Sequence, residues 1–279
     1  MSGRALQALA TATAQIAAGG CDTPRLDAEL LLAHVLGVAR ERLYSEPDLQ
    51  LDGAAQRALR RAVRRRAAAR EPVAYITGRR AFGELWLRVD PRALIPRPES
   101  ELLVEAALTL PPGARVLDVG TGCGAVALAL AHERPDLSVS GSDVSREALA
   151  LARENARRLG LAVRFVHADL LAGVRDEFEA LLANLPYVAE AQRRTLAPEI
   201  TRHEPPGALF AGADGLQKIT ALVAQLPRLR RVALVALEVG AGQAETVAAL
   251  VRGAGFARVR IQADLAGINR VVIAEGRRA

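Results

Sequence analysis

The chain has 279 residues, 51% of them hydrophobic and 24% charged, the proportions of a globular protein with room for one large domain and a small one. Aromatic residues are only 3% and the net charge is +6, nearly all of it arginine, with Lys218 the only lysine; a basic balance suits nucleic acid or an acidic partner, but GC-rich coding bias produces it too, so it selects no partner. Two cysteines, Cys21 and Cys123, exclude a disulfide framework and suit a reducing cytoplasm, and no apolar run is long enough to span a bilayer.

The first seventy residues are predicted to be helical. After Arg4, an uncharged stretch places Leu6, Leu9, Thr13 and Ile16 on one face and stops at Gly19-Gly20. Gln7, Thr11, Thr13 and Gln15 break up any leader-like apolar centre, so a first helix is expected rather than a signal peptide. "TPRLDAELLLAHVLG" offers Thr23 as N-cap, Pro24 in the first turn, Gly37 as a stop, and Leu26, Leu30, Ala33 and Val35-Leu36 as an apolar face. In "AAQRALRRAVRRRAAARE", Leu59, Val63 and Ala67 fall four apart and arginines cover the rest. No aromatic interleaves to stack on bases, and a solvated helix face is the simpler account.

From Ala74 the texture changes. "AYITGRRAFGELWLRVD" has β-rich pieces around Gly78 and Gly83 that suggest a hairpin, and "PRALIPRPESE" is a proline-stiffened connector. A helix over 99–108 ends at Pro111-Pro112-Gly113. Strands are then predicted at "RVLDV", "SVSGS", "VRFVH", "EALLAN" and "VALVALEV", with helices at 126–133, 146–159, 216–225 and 244–254. Such alternation argues for an α/β domain with a parallel sheet covered on both faces. "RVRIQ" and "RVVIA" have too short a link for a crossover helix and should pair antiparallel.

"VLDVGTGCGAVALALA" places a strand, three alternate glycines and a helix start in one run. Gly120, Gly122 and Gly124, with Thr121 and Cys123 between them, let the backbone turn tightly beneath a ligand. The run also satisfies the dinucleotide pattern G-x-G-x-x-G/A through Gly120, Gly122 and Ala125, so alone it does not separate NAD from S-adenosyl-L-methionine. Asp118, two residues earlier, favours a cofactor that ends in an amino acid. Asp143 ends the next strand, where an acid can grip two ribose hydroxyls. Asp169 ends the third and can accept from an adenine amine, with Leu170 against the ring.

"FEALLANLPYVAE" carries the fourth strand straight into Asn184-Leu185-Pro186-Tyr187. Ligands of open α/β sheets bind beyond the carboxyl ends of the strands, so this tetrapeptide should face the same crevice as the glycines. It suits a planar NH₂ substrate, whose delocalised lone pair makes it a poor nucleophile. The Asn184 side-chain oxygen and the Leu185 carbonyl can accept from its two hydrogens, Pro186 can stiffen the turn, and the Tyr187 ring can stack on the plane. With a sulfonium as leaving group, no strong general base is needed.

Taken together, the chain resembles the release factor glutamine methyltransferase family of class I S-adenosyl-L-methionine-dependent methyltransferases. The likeness rests on "LDAELLLAHVLG", "EPVAYITG", "FGELWLRVDPRALIPRPESELLVE", the glycine run, "NLPYV", "HEPPGALFAGADGL", "LEVGAGQ" and "DLAGINRVV". It implies an N-terminal helical substrate-docking domain (1–73), a β-hairpin linker (74–95) and a Rossmann-like methyltransferase domain (96–279) with a seven-stranded, mostly parallel sheet. It also implies a protein substrate: the glutamine of the Gly-Gly-Gln loop of class I peptide chain release factors. Asp118, the loop 120–124, Asp143, Asp169, Leu170 and Asn184 would hold the cofactor, and residues 184–187 the glutamine amide. The family usually has Asn-Pro-Pro-Tyr and Gly-Arg-Asp-Arg where this chain has Asn-Leu-Pro-Tyr and "GINR".

Three other readings compete. An adenine N6-methyltransferase could use the same tetrapeptide on a flipped base; the basic pI favours it, and the proline-rich linker and "EPPGALFAGADGL" oppose it. A non-catalytic nucleic-acid or ribosome-binding module would not need the intact loop and acids. An NAD-dependent oxidoreductase leaves Asn-Leu-Pro-Tyr unexplained. His34, His132, His167 and His203 show no metal-ligand spacing, and no metal is expected.

Overall fold

The computed structural model describes residues 3–46, 48–174, 177–229 and 231–277. The chain divides into two compact units, Met1–Arg79 with Ala197–His203, and Arg80–Leu196 with Glu204–Ala279.

The first unit contains β1 (Gly3–Arg4), α1 (Ala5–Ala18), α2 (Pro24–Leu36), α3 (Arg42–Ser45), β2 (Gln50–Leu51), α4 (Gly53–Ala69) and α5 (Val73–Thr77). Helix α1 buries Ala5, Leu9, Ala12 and Ile16, a face rotated from the predicted one, and Leu6 is exposed. Helix α2 likewise buries Ala28, Leu31 and Leu32 together with Asp27 and Glu29, while Leu26 and Leu30 lie outward. Ala33 of the predicted face is buried and Val35 and Leu36 pack on the core, but Leu26 and Leu30 are displaced outward because the two acids of α2 are buried with partners. Glu29 accepts from Arg25 at 2.6 Å and also from the Tyr44 hydroxyl. Asp27 takes Arg66 Nε at 2.6 Å.

Arg66 therefore departs from the solvated arginine face expected of α4. It is buried, and its other arm meets Glu199 at 2.6 Å. Arg70 closes on the same carboxylate through Nε and Nη2, at 2.7 and 3.0 Å. Glu199 belongs to α9 (Pro198–His203). His203, read from sequence as a loop residue, ends that helix with Nε2 2.7 Å from the Ala69 carbonyl.

In the second unit, β3 (Arg79–Phe82) and β4 (Leu85–Arg88) form the hairpin. It is shorter than predicted: residues 73–77 are the helix α5, ended by Gly78 at φ 70°. The small domain's own packing overrides the β-propensity of Tyr75 and Ile76. Then follow α6 (Glu101–Ala107), β5 (Arg115–Val119), α7 (Ala125–Glu133), β6 (Ser138–Asp143), α8 (Arg146–Leu159), β7 (Arg164–His167), β8 (Ala180–Ala183), α10 (Gln217–Gln225), β9 (Leu234–Glu238), α11 (Ala244–Gly253), β10 (Phe256–Ala263) and β11 (Asn269–Arg277).

Seven strands make one sheet in the order β10-β11-β9-β8-β5-β6-β7. The five from β5 to β9 pair parallel, and β11 runs antiparallel to both β10 and β9. Strands covered on both faces read as continuous apolar runs, and β8 and β9 are buried at every position. Glu238 breaks that rule at the end of β9, a carboxylate only 1% exposed. The strand order reverses between β5 and β8, which opens a crevice at their carboxyl ends.

Candidate active site

Directly after β5, Gly120, Gly122 and Gly124 adopt φ of 77°, 56° and 88°, a left-handed region that costs other residues energy. The Gly120 and Thr121 N–H groups both donate to the Ser142 carbonyl, at 2.8 and 2.9 Å, which pins the turn to β6. A Cβ on Gly120 would stand 2.9 Å from Leu185 Cδ2. The loop thus rests on the Asn-Leu-Pro-Tyr segment.

Asp118 is 2% exposed and latches the loop from below. Its Oδ2 accepts from the Thr121 hydroxyl at 2.6 Å and the Ala127 N–H at 3.3 Å. Burial pushes its pKa up to about 7 against the pull of those bonds, and nearby Asp143 adds to the rise. Asp143 ends β6 and accepts from the Gly122 N–H at 2.9 Å and the Ser145 N–H at 2.8 Å. Burial raises its pKa too, opposed by the backbone donors.

These groups surround a cavity of about 230 Å³. Of the residues singled out from sequence, Asp118, Gly120, Thr121, Gly122, Cys123, Asp143, Asp169, Leu170, Asn184, Leu185 and Pro186 all line it; Gly124 and Tyr187 do not. Gly124 packs closely on Leu128 and Ala152. Cys123 is buried, its thiol pushed up to about 12 by burial, so it contributes backbone rather than a nucleophile. Its carbonyl accepts from Asn155 Nδ2 at 3.0 Å. The same amide exchanges bonds of 2.8 and 3.0 Å with the Arg88 backbone, which clasps the hairpin to the glycine loop.

Asp169 is the most exposed of the three strand-end acids, its side chain 60% accessible, with Lys218 Nζ 3.6 Å away at the cavity wall. Leu170 sits at φ 53° although it is not glycine. Such a conformation costs about 1–3 kcal/mol and persists only where its surroundings dictate it. Here the Ala172 N–H binds the Asp169 carbonyl at 3.0 Å, and the Leu170 side chain is held between cavity and core.

Asn184 follows β8 directly. Its Nδ2 donates to Ser100 Oγ at 2.8 Å, and Ser100 Oγ donates to Glu238 Oε2 at 2.5 Å. The other carboxylate oxygen takes the Tyr187 hydroxyl at 3.2 Å. The Tyr187 ring is therefore turned inward, beside Gly240, and its carbonyl accepts from Gln243 Nε2 at 3.0 Å. Burial, then the Glu238 charge, drives the Tyr187 pKa upward. Burial raises Glu238 to about 7, with hydrogen bonds from Ser100 and Tyr187 opposing it. Leu185 is 5% exposed and packs into the core. Its departure from proline substitutes a buried anchor under Gly120 for a rigid ring.

Sequence reasoning placed neither Ser100, Glu238 and Lys218 nor the stretch 92–96, read only as a connector, in the site, though three of these lie within segments that carry the family likeness. The strongest available signal was Glu238, a charged residue closing an otherwise apolar strand. Glu204, 4% exposed, was also missed. It accepts from the Ile95 N–H at 3.1 Å and from Arg97, tying the cavity wall at 92–96 to the loop holding Pro205, Gly207 and Ala208.

The residues present fit S-adenosyl-L-methionine. Gly120 and Gly122 give the floor two positions without a Cβ, and the carboxylates of Asp118, Asp143 and Asp169 along the cavity favour a ligand with positive charge over a pyrophosphate.

Residues 7–78 match the model of the PrmC N-terminal domain, and residues 98–206 that of the methyltransferase small domain. A release factor glutamine methyltransferase of Deinococcus radiodurans is 42% identical over 268 residues, covering 95% of both chains. One of Cereibacter sphaeroides is 42% identical over 97% of this chain and 98% of its own. Among solved structures, the hMettl16 catalytic domain superposes with a TM-score of 0.56 at 14% identity, over 80% of this chain and 82% of that one, a likeness of fold.

Proposed function

Because the chain belongs to the release factor glutamine methyltransferase family, we propose that it transfers a methyl group from S-adenosyl-L-methionine to a glutamine side-chain nitrogen. The glutamine is that of the Gly-Gly-Gln loop of class I peptide chain release factors. The observation that carries the proposal is the Asn184 amide, anchored by Ser100 at the wall of a cavity whose floor is the glycine loop.

In this reading Asp118 and residues 120–124 would hold the amino-acid end of the cofactor, Asp143 the ribose, and Asp169 with Leu170 the adenine. When bound, the cofactor supplies a methyl group on a positively charged sulfur. Asn184 Oδ1 and the Leu185 carbonyl would accept from the two hydrogens of the substrate amide. That holds the nitrogen in line and favours its pyramidalisation. The methylated nitrogen becomes acidic and releases its proton without a dedicated base. The helical unit would dock the protein substrate, and nucleic acid would not be required. No described helix is long and apolar enough to cross a membrane, and both cysteines are unpaired, which supports a cytoplasmic enzyme.

The test is label transfer from methyl-labelled S-adenosyl-L-methionine to unmethylated release factor. Parallel reactions would contain a release factor with its loop glutamine changed to alanine, rRNA, and duplex DNA. Label on the intact release factor alone, reduced by about 10²–10³ in Asn184→Ala, is expected. Label on nucleic acid instead would overturn the proposal in favour of adenine methylation.

A further inference from the structure

We propose that Ser100 and Glu238 are positioning residues that determine which end of the Asn184 amide meets the substrate. The inference rests on the functional reading above and deepens it.

An ionised carboxylate only accepts hydrogen bonds. Glu238 therefore receives the Ser100 hydroxyl at Oε2, 2.5 Å away, and the Tyr187 hydroxyl at Oε1, 3.2 Å away. Serine has a single hydroxyl proton, and Glu238 takes it. Toward Asn184, 2.8 Å away, Ser100 Oγ can then act only as an acceptor, so it must face the NH₂ end of the amide. The direction of every bond in the chain follows from the carboxylate. Oδ1 is left as the end that a substrate N–H can use.

A flipped amide would point N–H groups at the N–H groups of the substrate and lose the acceptor. In solvent an asparagine flips freely; here Ser100 is 3% and Glu238 1% exposed, and a low-dielectric setting strengthens such a chain. Protonating Glu238 removes its directionality. The carboxyl can then donate to Ser100, freeing the serine proton to turn toward Asn184 and favour the wrong flip. The charged and titratable groups facing Glu238 are Tyr187 beyond β8, Glu99 on the turn before α6, which favours protonation, and Arg270 on β11, which opposes it.

The experiment compares unsubstituted enzyme with Ser100→Ala, Ser100→Thr and Glu238→Gln, all as full chains. It measures cofactor affinity by calorimetry, and kcat and KM for release factor between pH 5.5 and 8.5, about 1.5 units either side of neutrality. Ser100→Ala is expected to lower kcat about 10²-fold while cofactor affinity stays within about threefold. Ser100→Thr, which keeps the hydroxyl, should restore much of that loss. Glu238→Gln can still accept from Ser100 in one of its two orientations, so it should retain more kcat than Ser100→Ala and lose the acid limb of the profile. The proposal is overturned if Ser100→Ala keeps kcat, if its loss lies wholly in KM or cofactor affinity, or if Glu238→Gln keeps an unchanged acid limb. Should Ser100→Ala fail to fold, the Glu238→Gln profile decides. No transfer by the unsubstituted enzyme would overturn the functional reading and this inference with it; transfer by that enzyme and undiminished kcat in Ser100→Ala would overturn this inference alone.

Discussion

Replacing Gly120 by alanine tests whether the glycine loop and the Asn-Leu-Pro-Tyr segment form one packed unit. Two costs arise. At φ 77° an alanine incurs left-handed strain of about 1–2 kcal/mol. Its Cβ would also stand 2.9 Å from Leu185 Cδ2. That atom is the tip of a flexible side chain and can swing aside, at an off-rotamer cost of about 0.5–1.5 kcal/mol. The sum is a destabilisation of about 1.5–3.5 kcal/mol, with weakened cofactor binding because the loop shifts at the cavity floor. Leu185→Ala alone should cost about 2–5 kcal/mol through the cavity it leaves. The double variant should be less destabilised than the sum of the two, by about 0.5–1.5 kcal/mol, since only the contact term vanishes and the backbone strain stays. Urea unfolding with both singles and the double, alongside calorimetric titration of cofactor, measures each quantity. Strict additivity, or a Gly120→Ala variant within about 0.5 kcal/mol of the parent, would refute the contact.

Glu199 lies in an environment where burial would raise its pKa, but hydrogen bonds from Arg70 and Arg66 bring it down to about 2. Its contribution is therefore present above the unfolded value of 4.5 and lost as pH falls toward 2. Glu199→Ala should cost about 1.5–3 kcal/mol at neutral pH by removing charged hydrogen bonds from Arg66, which keeps Asp27, and from Arg70, and less in acid, as read by urea melts across pH. Asp118 has the opposite sign. Its folded pKa is raised to about 7, so its contribution is full below the unfolded value of 3.8 and lost as pH rises through 7. Asp118→Asn, which can still accept from Thr121, should flatten that decline in unfolding experiments without cofactor; an unchanged slope would contradict the burial argument. Cys123, with its thiol pushed up to about 12, should resist iodoacetamide at pH 8 in the native protein and react once the chain is unfolded.

Sequence and structure part company most clearly in the helical unit. The predicted face of α1 holds at Leu9 and Ile16 and that of α2 at Ala33, but Leu26 and Leu30 were misplaced because apolar spacing cannot register that Asp27 and Glu29 go inward. Their partners, Arg66 on α4 and Arg25 with Tyr44, are known only once the helices are packed. Glu199 joins this network from 133 positions beyond Arg66, a separation that no local pattern reports.

The amino-acid sequence by itself determined the alternation of strands and helices, the glycine loop, the three strand-end acids and the tetrapeptide after β8. Each of these is written in contiguous residues, because period, left-handed glycines and strand ends are local properties of a chain. Only the tertiary structure decided that Leu185 is the support beneath Gly120, that Tyr187 turns inward, and that Ser100 and Glu238 close on Asn184. Ser100 lies 84 positions from Asn184 and 138 from Glu238. Their meeting depends on sheet order, which sets β9 beside β8 and β8 beside β5. The direction of a hydrogen bond, in turn, depends on which groups burial leaves able only to accept.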